Sequence, residues 1–350
     1  MDTLTHALSG ALLARATASR MPAAPIGQRV AVGLVAAAFP DIDYLGSFVS
    51  PLTYLLHHRG ITHSVVLLPL WAWLLAVLAA LAFRRRLAWR PYYGVAALGL
   101  AAHIAGDVIT SYGTMVFAPL SGARYALSTT FIIDLWFSGI ILTGLIVSGV
   151  WRRSRIPAVA ASLVLAAYVG FQAVLRTQAI EFGEQYAQRL RLAGAEVDAQ
   201  PGAVSPFNWA VYVRASGEYH HSYINLARRT RAPEPGPETG FFAGLSAPFL
   251  PPGEAVWRTA SLLGATAEER SLAREAWDQP SLDFFRWFAQ YPALYRIDRG
   301  NPLECVWFYD LRFSRPGAER LPFRYGVCRD SGGPWERFQL VGETERVPFN

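Results

Sequence analysis

The sequence contains no lysine, so all 32 of its basic side chains are arginine. Charged residues of both signs are scarce, at 17% of 350 residues, whereas hydrophobic residues make up 52%. This balance, with a mean hydropathy of +0.22, argues against an ordinary soluble protein. The arginines form no basic patch interleaved with aromatic residues, so we expect no nucleic-acid partner.

The sequence also lacks the features of a cleaved signal peptide and has few cysteines. No basic region precedes the first apolar run, MDTLTHALSGALLARA, and no clean cleavage site follows it, so we expect this segment to be retained. The only cysteines are Cys305 and Cys328. If Pro316-Gly317 centres the turn between the strands around it, the two cysteines face each other across a hairpin. A disulfide there fits an oxidising compartment.

Apolar runs are distributed unevenly along the chain. They dominate the first half, whereas the second half holds most of the glutamate, proline, arginine and aromatic residues. We therefore predict a polytopic membrane domain over residues 1–176 and a soluble α+β domain over residues 177–350.

The first half is predicted to be an α-helical membrane bundle. Four segments approach the roughly 20 apolar residues that span a bilayer, and two shorter segments precede them. The strong segments are Val65–Phe83, Tyr93–Thr110, Phe131–Val150 and Pro157–Leu175. The marginal segments are Thr5–Thr17 and Val30–Phe39, which can equally be half-buried or re-entrant.

The positions of the arginines predict the orientation in the membrane, because short cytoplasmic loops retain basic residues. Arg84, Arg85, Arg86 and Arg90 follow the first strong segment, and the run Trp151–Arg155 follows the third. Both loops are expected inside. We therefore predict a multi-pass protein of the bacterial inner membrane whose C-terminal domain is extracytoplasmic.

The stretch Asp41–Ser64 concentrates the polar chemistry of the first half. It places two carboxylates, three histidines and an arginine between apolar segments. Aspartate and histidine together form the ligand set of zinc, manganese or iron rather than calcium.

The predicted topology brings distant polar residues to one depth. His103 and Asp107 share a helix face at spacing i, i+4 near the outer end of the second strong segment. Asp134 lies near the outer end of the third, and Asp41 and Asp43 end a marginal segment outside. An aspartate in a membrane helix costs roughly 2.5–3.5 kcal/mol on insertion scales, so such residues usually line a functional cavity.

Each motif also has a simpler interpretation. His103 and Asp107 can form a packing hydrogen bond, and Asp41-x-Asp43 after Pro40 can be a turn motif. Three histidines beside an arginine within residues 57–64 are harder to explain without a site. His220-His221 lies in a strand-rich region, where we expect a surface or packing role.

These residues resemble a known family. Thr5-His6-Ala7, Pro40-Asp41-Ile42-Asp43, His58-Arg59-Gly60-Ile61-Thr62-His63-Ser64 and His103-x-x-x-Asp107 are similar to the motifs of the YdjM/YbcI/YfhP-like membrane-bound metal-dependent hydrolases. The match covers about the first 140 residues. The resemblance implies a divalent metal, zinc by preference or manganese, and eight ligand candidates. These are Asp41, Asp43, His58, His63, His103 and Asp107, with His6 and Asp134 in support.

The predicted reaction is hydrolysis by metal-activated water of a phosphoester or related bond. Asp43 is the expected base or water-orienting group, and Arg59, with Arg124 as second candidate, is expected to stabilise phosphoryl charge. A site at a bilayer interface favours an amphiphilic or lipid-linked substrate. Two rival hypotheses are a transporter and a structural or regulatory protein whose metal only holds helices together.

The second half is predicted to mix helices and strands. A capping box at Thr266–Glu269 opens one helix, and Ser281 opens another. The predicted strands are Trp209–Arg214, Tyr219–Leu226, Cys305–Phe313, Leu321–Cys328 and Trp335–Val341.

Overall fold

A computed structural model describes residues 1–19, 23–84, 88–233, 236, 239–300, 303–314, 321–330 and 333–349. The chain divides into two compact units, Met1–Val174 and Leu175–Asn350. Arg85, Arg86 and the predicted Pro316-Gly317 turn lie outside the described residues.

Unit 1 is mainly helical in its described part, with a helix-free segment over residues 109–134. Helices form at all six predicted segments, and short 3₁₀ helices carry the polar stretch between them. The elements are α1 (Thr3–Ala16), α2 (Ile26–Ala38), a 3₁₀ helix (Phe39–Phe48), α3 (Pro51–His57), a 3₁₀ helix (Ile61–His63), α4 (Leu68–Ala82), α5 (Arg90–Val108), α6 (Leu135–Val150) and α7 (Ile156–Arg189), which ends in unit 2.

Two helical stretches of the described chain are long and apolar enough to cross a membrane. They are Ile26–Phe48 and Ile156–Arg189. A third candidate is the pair Pro51–His63 and Leu68–Ala82, which is bent by 80°. The prediction of four full-length strong helices is therefore not confirmed, and α6, at 16 residues, is short for a span. The segment predicted as marginal lengthens because the 3₁₀ helix continues α2.

Glycines allow the helices around the polar cluster to approach closely. A Cβ on Gly10 of α1 would lie 2.1 Å from the carbonyl oxygen of Gly33 in α2. A Cβ on Gly99 of α5 would lie 2.9 Å from the same oxygen. Small residues at such crossings let helix backbones pack directly, as in membrane helix pairs. These contacts fix α1, α2 and α5 relative to one another.

Unit 2 consists of two antiparallel sheets with short helices. The first sheet has the order β1-β2-β3-β4 and the second β5-β6-β7-β8-β9. The strands are β1 (Glu196–Pro201), β2 (Asn208–Ala215), β3 (Glu218–Asn225), β4 (Arg258–Ser261), β5 (Pro292–Arg299), β6 (Leu303–Asp310), β7 (Tyr325–Asp330), β8 (Glu336–Val341) and β9 (Glu345–Pro348). The helices are α8 (Phe241–Ser246), α9 (Ala267–Trp277) and α10 (Asp283–Phe288), with 3₁₀ turns at Pro252–Glu254, Pro280–Leu282 and Leu311–Phe313.

The predicted disulfide and capping box are present in unit 2. Cys305 pairs with Cys328 in the β6–β7 register, and the two form a buried disulfide. Thr266 and Glu269 form both hydrogen bonds of the capping box at the start of α9. The five predicted strands match β2, β3, β6, β7 and β8 apart from their ends, whereas β1, β4, β5 and β9 were not predicted.

His220 and His221 contribute to packing in β3, as expected. The His221 ring packs against Tyr212 and Tyr223, and His220 Nδ1 lies 3.1 Å from the Tyr186 hydroxyl. Burial lowers the pKa of His221 to about 4, and the positive charge of Arg258 acts in the same direction.

Candidate metal centre

Three elements of unit 1 bring four side chains to one point. His103 and Asp107 lie one turn apart on α5 and share a face. The 3₁₀ helix Phe39–Phe48 carries Asp41 directly after Pro40, and the second 3₁₀ helix ends at His63. One ligand atom from each of these residues lies within 4.8 Å of all the others.

The distances in this group match those around a single ion. His63 Nε2 lies 2.9 Å from His103 Nε2, and these nitrogens lie 3.1 and 3.3 Å from Asp107 Oδ2. Asp41 Oδ1 is 3.8 Å from His63 Nε2 and 3.5 Å from His103 Nε2. Ligands about 2.0–2.1 Å from a tetrahedral ion lie roughly 3.3 Å apart. The four side chains therefore fit a divalent metal.

Hydrogen bonds fix the tautomers of the two histidines. His103 Nδ1 lies 2.6 Å from the Ala37 carbonyl oxygen, which can only accept, so Nδ1 carries the proton. His63 Nδ1 lies 3.0 Å from Thr62 Oγ1 and 3.4 Å from an Asp43 carboxylate oxygen. In the neutral rings both Nε2 atoms then present lone pairs to the centre. Such outer hydrogen bonds are the usual support of metal-bound histidine.

One buried oxygen at the centre supports the same conclusion. Asp107 Oδ2 is fully buried and accepts no hydrogen bond from any described residue, although two imidazole nitrogens lie within 3.3 Å. The contacts are close, but no proton is aimed at the oxygen. Lone pairs of two imidazoles and a carboxylate repel one another unless a cation lies between them. The chemistry of the donor set therefore fits a bound cation.

The centre is closed on one side and looser on the other. His63, His103 and Asp107 have no exposed side-chain surface, whereas Asp41 is 15% exposed. Asp41 is also the member farthest from the two imidazole nitrogens. Catalytic metal sites commonly combine three protein ligands with an open position. The Asp41 side is the accessible approach to this centre.

Asp43 and His58 lie beside the centre but outside the group of four. Asp43 Oδ1 accepts a hydrogen bond from His58 Nδ1 at 2.9 Å, and Oδ2 accepts one from the Arg59 backbone at 2.9 Å. Thr62 Oγ1 also donates to Asp43 Oδ2, at 3.3 Å. Asp43 and His58 thus lie outside the group of four, and their expected role as direct ligands stays a prediction; in this structure Asp43 contacts His58, the Arg59 backbone, Thr62 and His63.

Arg59 is buried against the other oxygen of Asp107. Its Nη2 lies 2.9 Å from Asp107 Oδ1, and its Nη1 donates to Thr110 Oγ1 at 2.9 Å. The backbone of Arg59 has φ of 61°, a conformation unusual for a residue other than glycine. Such strain persists only where the surroundings hold it, and here the Asp43–Arg59 backbone bond does so.

Arg124 approaches the same region through Tyr112. Its Nη2 donates to the carbonyl oxygens of Tyr112 and Gly113 at 2.8 and 3.1 Å. The guanidinium carbons of Arg59 and Arg124 lie 4.9 and 4.7 Å from the centre of the Tyr112 ring. Tyr112 thus links the two arginines that the sequence proposed for charge stabilisation.

The N-terminal end of α1 supports Asp107 and Asp41. His6 Nε2 lies 3.1 Å from Asp107 Oδ1, and its ring stacks on His103 with centroids 3.7 Å apart. The Met1 amino group pairs with the same oxygen. Thr3 Oγ1 donates to Asp41 Oδ2 at 2.5 Å. His6 is therefore a neighbour that positions ligands rather than one of the four.

Asp134 has a different role from the one predicted. It is the N-cap of α6 and accepts hydrogen bonds from the Trp136 and Phe137 backbones at 2.9 Å. Tyr168 and Gln172 donate to its carboxylate as well. These partners use its oxygens, so Asp134 is a capping residue and not a member of the metal group.

A comparison with protein families covers this centre. The model of a family described as YdjM inner membrane protein matches residues 1–179, just over half of the 350-residue chain. The chain belongs to the YdjM inner membrane protein family. No curated protein and no solved structure matches it. Membership in the YdjM family confirms the resemblance seen in the motifs and identifies a membrane protein.

Some residues that support the centre of this YdjM family member were not found from the sequence. Thr3 and Tyr112 lie outside the motifs, and the contribution of Ala37 comes from its backbone carbonyl. Thr3 had a usable signal, since it lies one helical turn before His6 on the same face. A backbone carbonyl that accepts a hydrogen bond from a histidine cannot be predicted from the type of side chain at its position.

Proposed function

We propose that this YdjM family member is a membrane-bound metal-dependent hydrolase that cleaves a phosphoester or related bond of an amphiphilic substrate. One observation carries the proposal: His63, His103, Asp107 and Asp41 converge on a point, with one buried carboxylate oxygen lacking a hydrogen-bond donor among described residues. Zinc is the preferred ion and manganese the second choice, because two imidazoles and two carboxylates suit both.

The side chains around the centre have different proposed roles. A divalent cation held there supplies Lewis acidity that activates water at neutral pH and polarises a substrate oxygen. Asp43 and Thr62 hold the His63 ring in its lone-pair orientation. Asp41, the exposed member of the group, lies where water and substrate enter.

Arg59 is the proposed stabiliser of negative charge on the substrate. Two of its nitrogens are engaged by Asp107 and Thr110, but its buried Nε donates to no described residue. A buried N–H group without an acceptor is costly unless a ligand provides one. A phosphoryl oxygen of the substrate would be such an acceptor, and guanidinium geometry matches phosphate.

The surroundings of the entrance support an amphiphilic substrate. Ile42, Leu45, Phe48 and Val49 are large, apolar and exposed on the same 3₁₀ segment as Asp41 or directly after it. Such a rim suits a lipid or lipid-linked molecule rather than a fully polar one. Two features support an extracytoplasmic location of the site and of unit 2. The Cys305–Cys328 disulfide fits an oxidising compartment. Arg152, Arg153 and Arg155 lie in the loop between α6 and α7, which is expected to be cytoplasmic because it is short and basic.

The test uses the full-length protein in detergent or nanodiscs. Loaded with Zn²⁺ or Mn²⁺, it should hydrolyse a generic aryl phosphoester, chelation should abolish turnover, and added metal should restore it. Asp107→Asn should be inactive, whereas Asp134→Asn, which alters a carboxylate outside the group, should keep its metal and its activity. No turnover on phosphoester, carboxylester and amide panels at full metal occupancy would refute the hydrolase.

A structural metal is the competing function, and the complete burial of three of the four side chains favours it. It predicts that metal removal unfolds unit 1. The hydrolase predicts that Asp41→Asn leaves a folded, metal-bound but impaired protein, because Asp41 lies on the open side. A transporter would instead show metal-dependent flux across a vesicle without turnover.

A further inference from the structure

Unit 1 contains an apolar groove that the metal centre does not use. Its volume is about 370 Å³, and helices α1, α5, α6 and α7 form its walls. We call it the α1–α7 groove. The lining residues that matter here are Ser9, Leu12, Ala105, Gly106, Phe137 and Ala166.

The walls of the α1–α7 groove offer little to a polar ligand. Its two serines each use their hydroxyl within their own helix: Ser9 donates to the Thr5 carbonyl and Ser162 to the Ala158 carbonyl, both at 2.8 Å. A water molecule needs two to four polar partners to remain in a cavity. Hydrocarbon therefore suits the groove better than water.

The groove opens toward the exterior of a candidate membrane span. Ala105 on α5 and Ala166 on α7 are exposed, and α7 is one of the two stretches apolar enough to cross a bilayer. A void bordered by lipid forfeits van der Waals contacts on its open side. A whole helix, about 10 Å wide with its side chains, needs far more room than this groove provides. A single lipid tail is the occupant that fits.

The groove and the metal centre share a wall. On α5 the stripe Ala102, Ala105, Gly106 and Ile109 faces the groove, while His103 and Asp107 on the neighbouring face lie at the centre. A Cβ on Gly106 would lie 3.1 Å from the His6 ring, which in turn contacts Asp107. Groove and centre therefore lie side by side along the same two turns of α5.

We propose that the α1–α7 groove binds one acyl chain of the lipid whose polar linkage is processed at the metal centre. The acyl site is a claim about binding, and its link to catalysis rests on the proposed function. An acyl chain in the groove would lie beside the metal centre, because both border the same two turns of α5. The substrate class is then a lipid with at least one long acyl chain.

A photolabelling experiment tests the binding. Full-length protein in nanodiscs is irradiated with a phosphatidylglycerol that carries a diazirine at the end of a palmitoyl chain, and labelled peptides are mapped by mass spectrometry. Ala166→Trp should reduce labelling of groove residues by about tenfold, because filling a packed site strongly disfavours a second occupant. Ala167→Trp is the matched control: Ala167 is the adjacent exposed alanine of α7 and does not line the groove.

A second groove-filling variant keeps the test valid if Ala166→Trp fails to fold. Ala105→Phe fills the groove from α5, and Ala101→Phe places the same ring on an exposed α5 position outside it. Equal labelling of the groove peptides in filled and control variants would overturn the acyl site. So would equal hydrolysis of long-chain and short-chain lipids by an active wild-type protein.

Measurements of turnover distinguish the proposed acyl site from the proposed hydrolase activity. Groove-filling variants should lose turnover of long-chain lipid about tenfold but retain turnover of an aryl phosphoester that has no tail. Groove labelling that Ala166→Trp removes supports the acyl site even if wild-type protein hydrolyses nothing. In that case the proposed function fails and the lipid site stands.

Discussion

The two units of this chain differ in the side chains that they expose and bury. Unit 2 packs aromatic rings such as Tyr212, Tyr291 and Trp307 inside its sheets, with few large apolar side chains exposed in its described part. Unit 1 exposes Leu163, Val164 and many similar residues, and its buried carboxylate and imidazole groups converge on one point. An exterior of this kind suits lipid, and a polar interior marks function. The difference teaches that the buried charges of unit 1, rather than its apolar residues, locate the site.

The largest expected effect comes from breaking the polar interior of unit 1. Asp107→Asn removes a proposed ligand and leaves the buried Arg59 without its ion pair, which typically costs about 3–5 kcal/mol. We expect loss of bound metal by elemental analysis and a fall in turnover of about three orders of magnitude. Asp134→Asn should keep the helix cap, because asparagine caps as well as aspartate, and should keep the metal; it changes only the charge of the carboxylate to which Tyr168 and Gln172 donate. Metal loss in both variants alike would contradict the assignment of Asp134.

Breaking the covalent link of unit 2 should leave unit 1 unaffected. Replacing Cys305 and Cys328 together by serine removes a cross-link that spans 23 residues. Such a disulfide contributes roughly 2–4 kcal/mol to the free energy of unfolding. Hydrogen exchange of the β6 and β7 amides should accelerate, while metal content stays constant. Loss of metal in this variant would show that the two units are coupled.

Acid should weaken unit 2 through His221. Its folded-state pKa is lowered by burial to about 4, so between about pH 6.5 and 4 the unfolded chain binds a proton that the folded chain does not. Stability is fully present above pH 6.5 and falls as pH drops, by about 3 kcal/mol in total. Hydrogen exchange of β3 amides between pH 7 and 4.5, corrected for intrinsic rates, measures this. His221→Phe keeps a ring beside Tyr212 and should reduce the pH dependence of unit 2 stability. An unchanged pH dependence in this variant would show that His221 is not its cause.

The smallest effect sharpens the role of helix packing in unit 1. Gly10→Ala places a methyl group against the Gly33 backbone and should cost about 1–3 kcal/mol. Gly94→Ala on α5 has nothing within 4 Å of its added Cβ, so it should be neutral or stabilising. Thermal unfolding in detergent compares the two. Equal midpoints would mean that α1 and α2 do not pack as closely as described.

The sequence predicted the members of the metal group better than their roles. Asp41, His63, His103 and Asp107 were all among the candidates, because spacing on α5 and the unusual histidine density carry local signals. The role of His58 and Asp43 as ligands stays a prediction, since a motif cannot distinguish a ligand from the residue that orients it. Hydrogen-bond partners such as the Ala37 carbonyl decide this, and they depend on the tertiary fold.

Asp134 and the unpredicted strands show where pattern reading failed. An aspartate directly before an apolar helix is an N-cap signal, but the same position near the outer end of a predicted membrane segment also suggests a site. Strand β5 mixes arginine and aspartate with its apolar residues, and its neighbour β6 supplies the pairing that makes it a strand. The long span Ile26–Phe48 was underestimated because a 3₁₀ continuation has no clear sequence signature.

X-ray absorption at the metal edge of the purified full-length protein tests the central claim most directly. The account predicts one divalent cation per chain, with a nitrogen and oxygen shell that includes two imidazoles, and loss of imidazole scattering in His63→Ala or His103→Ala. A protein that binds no cation when metal is supplied, or a metal shell that both substitutions leave unchanged, would contradict it.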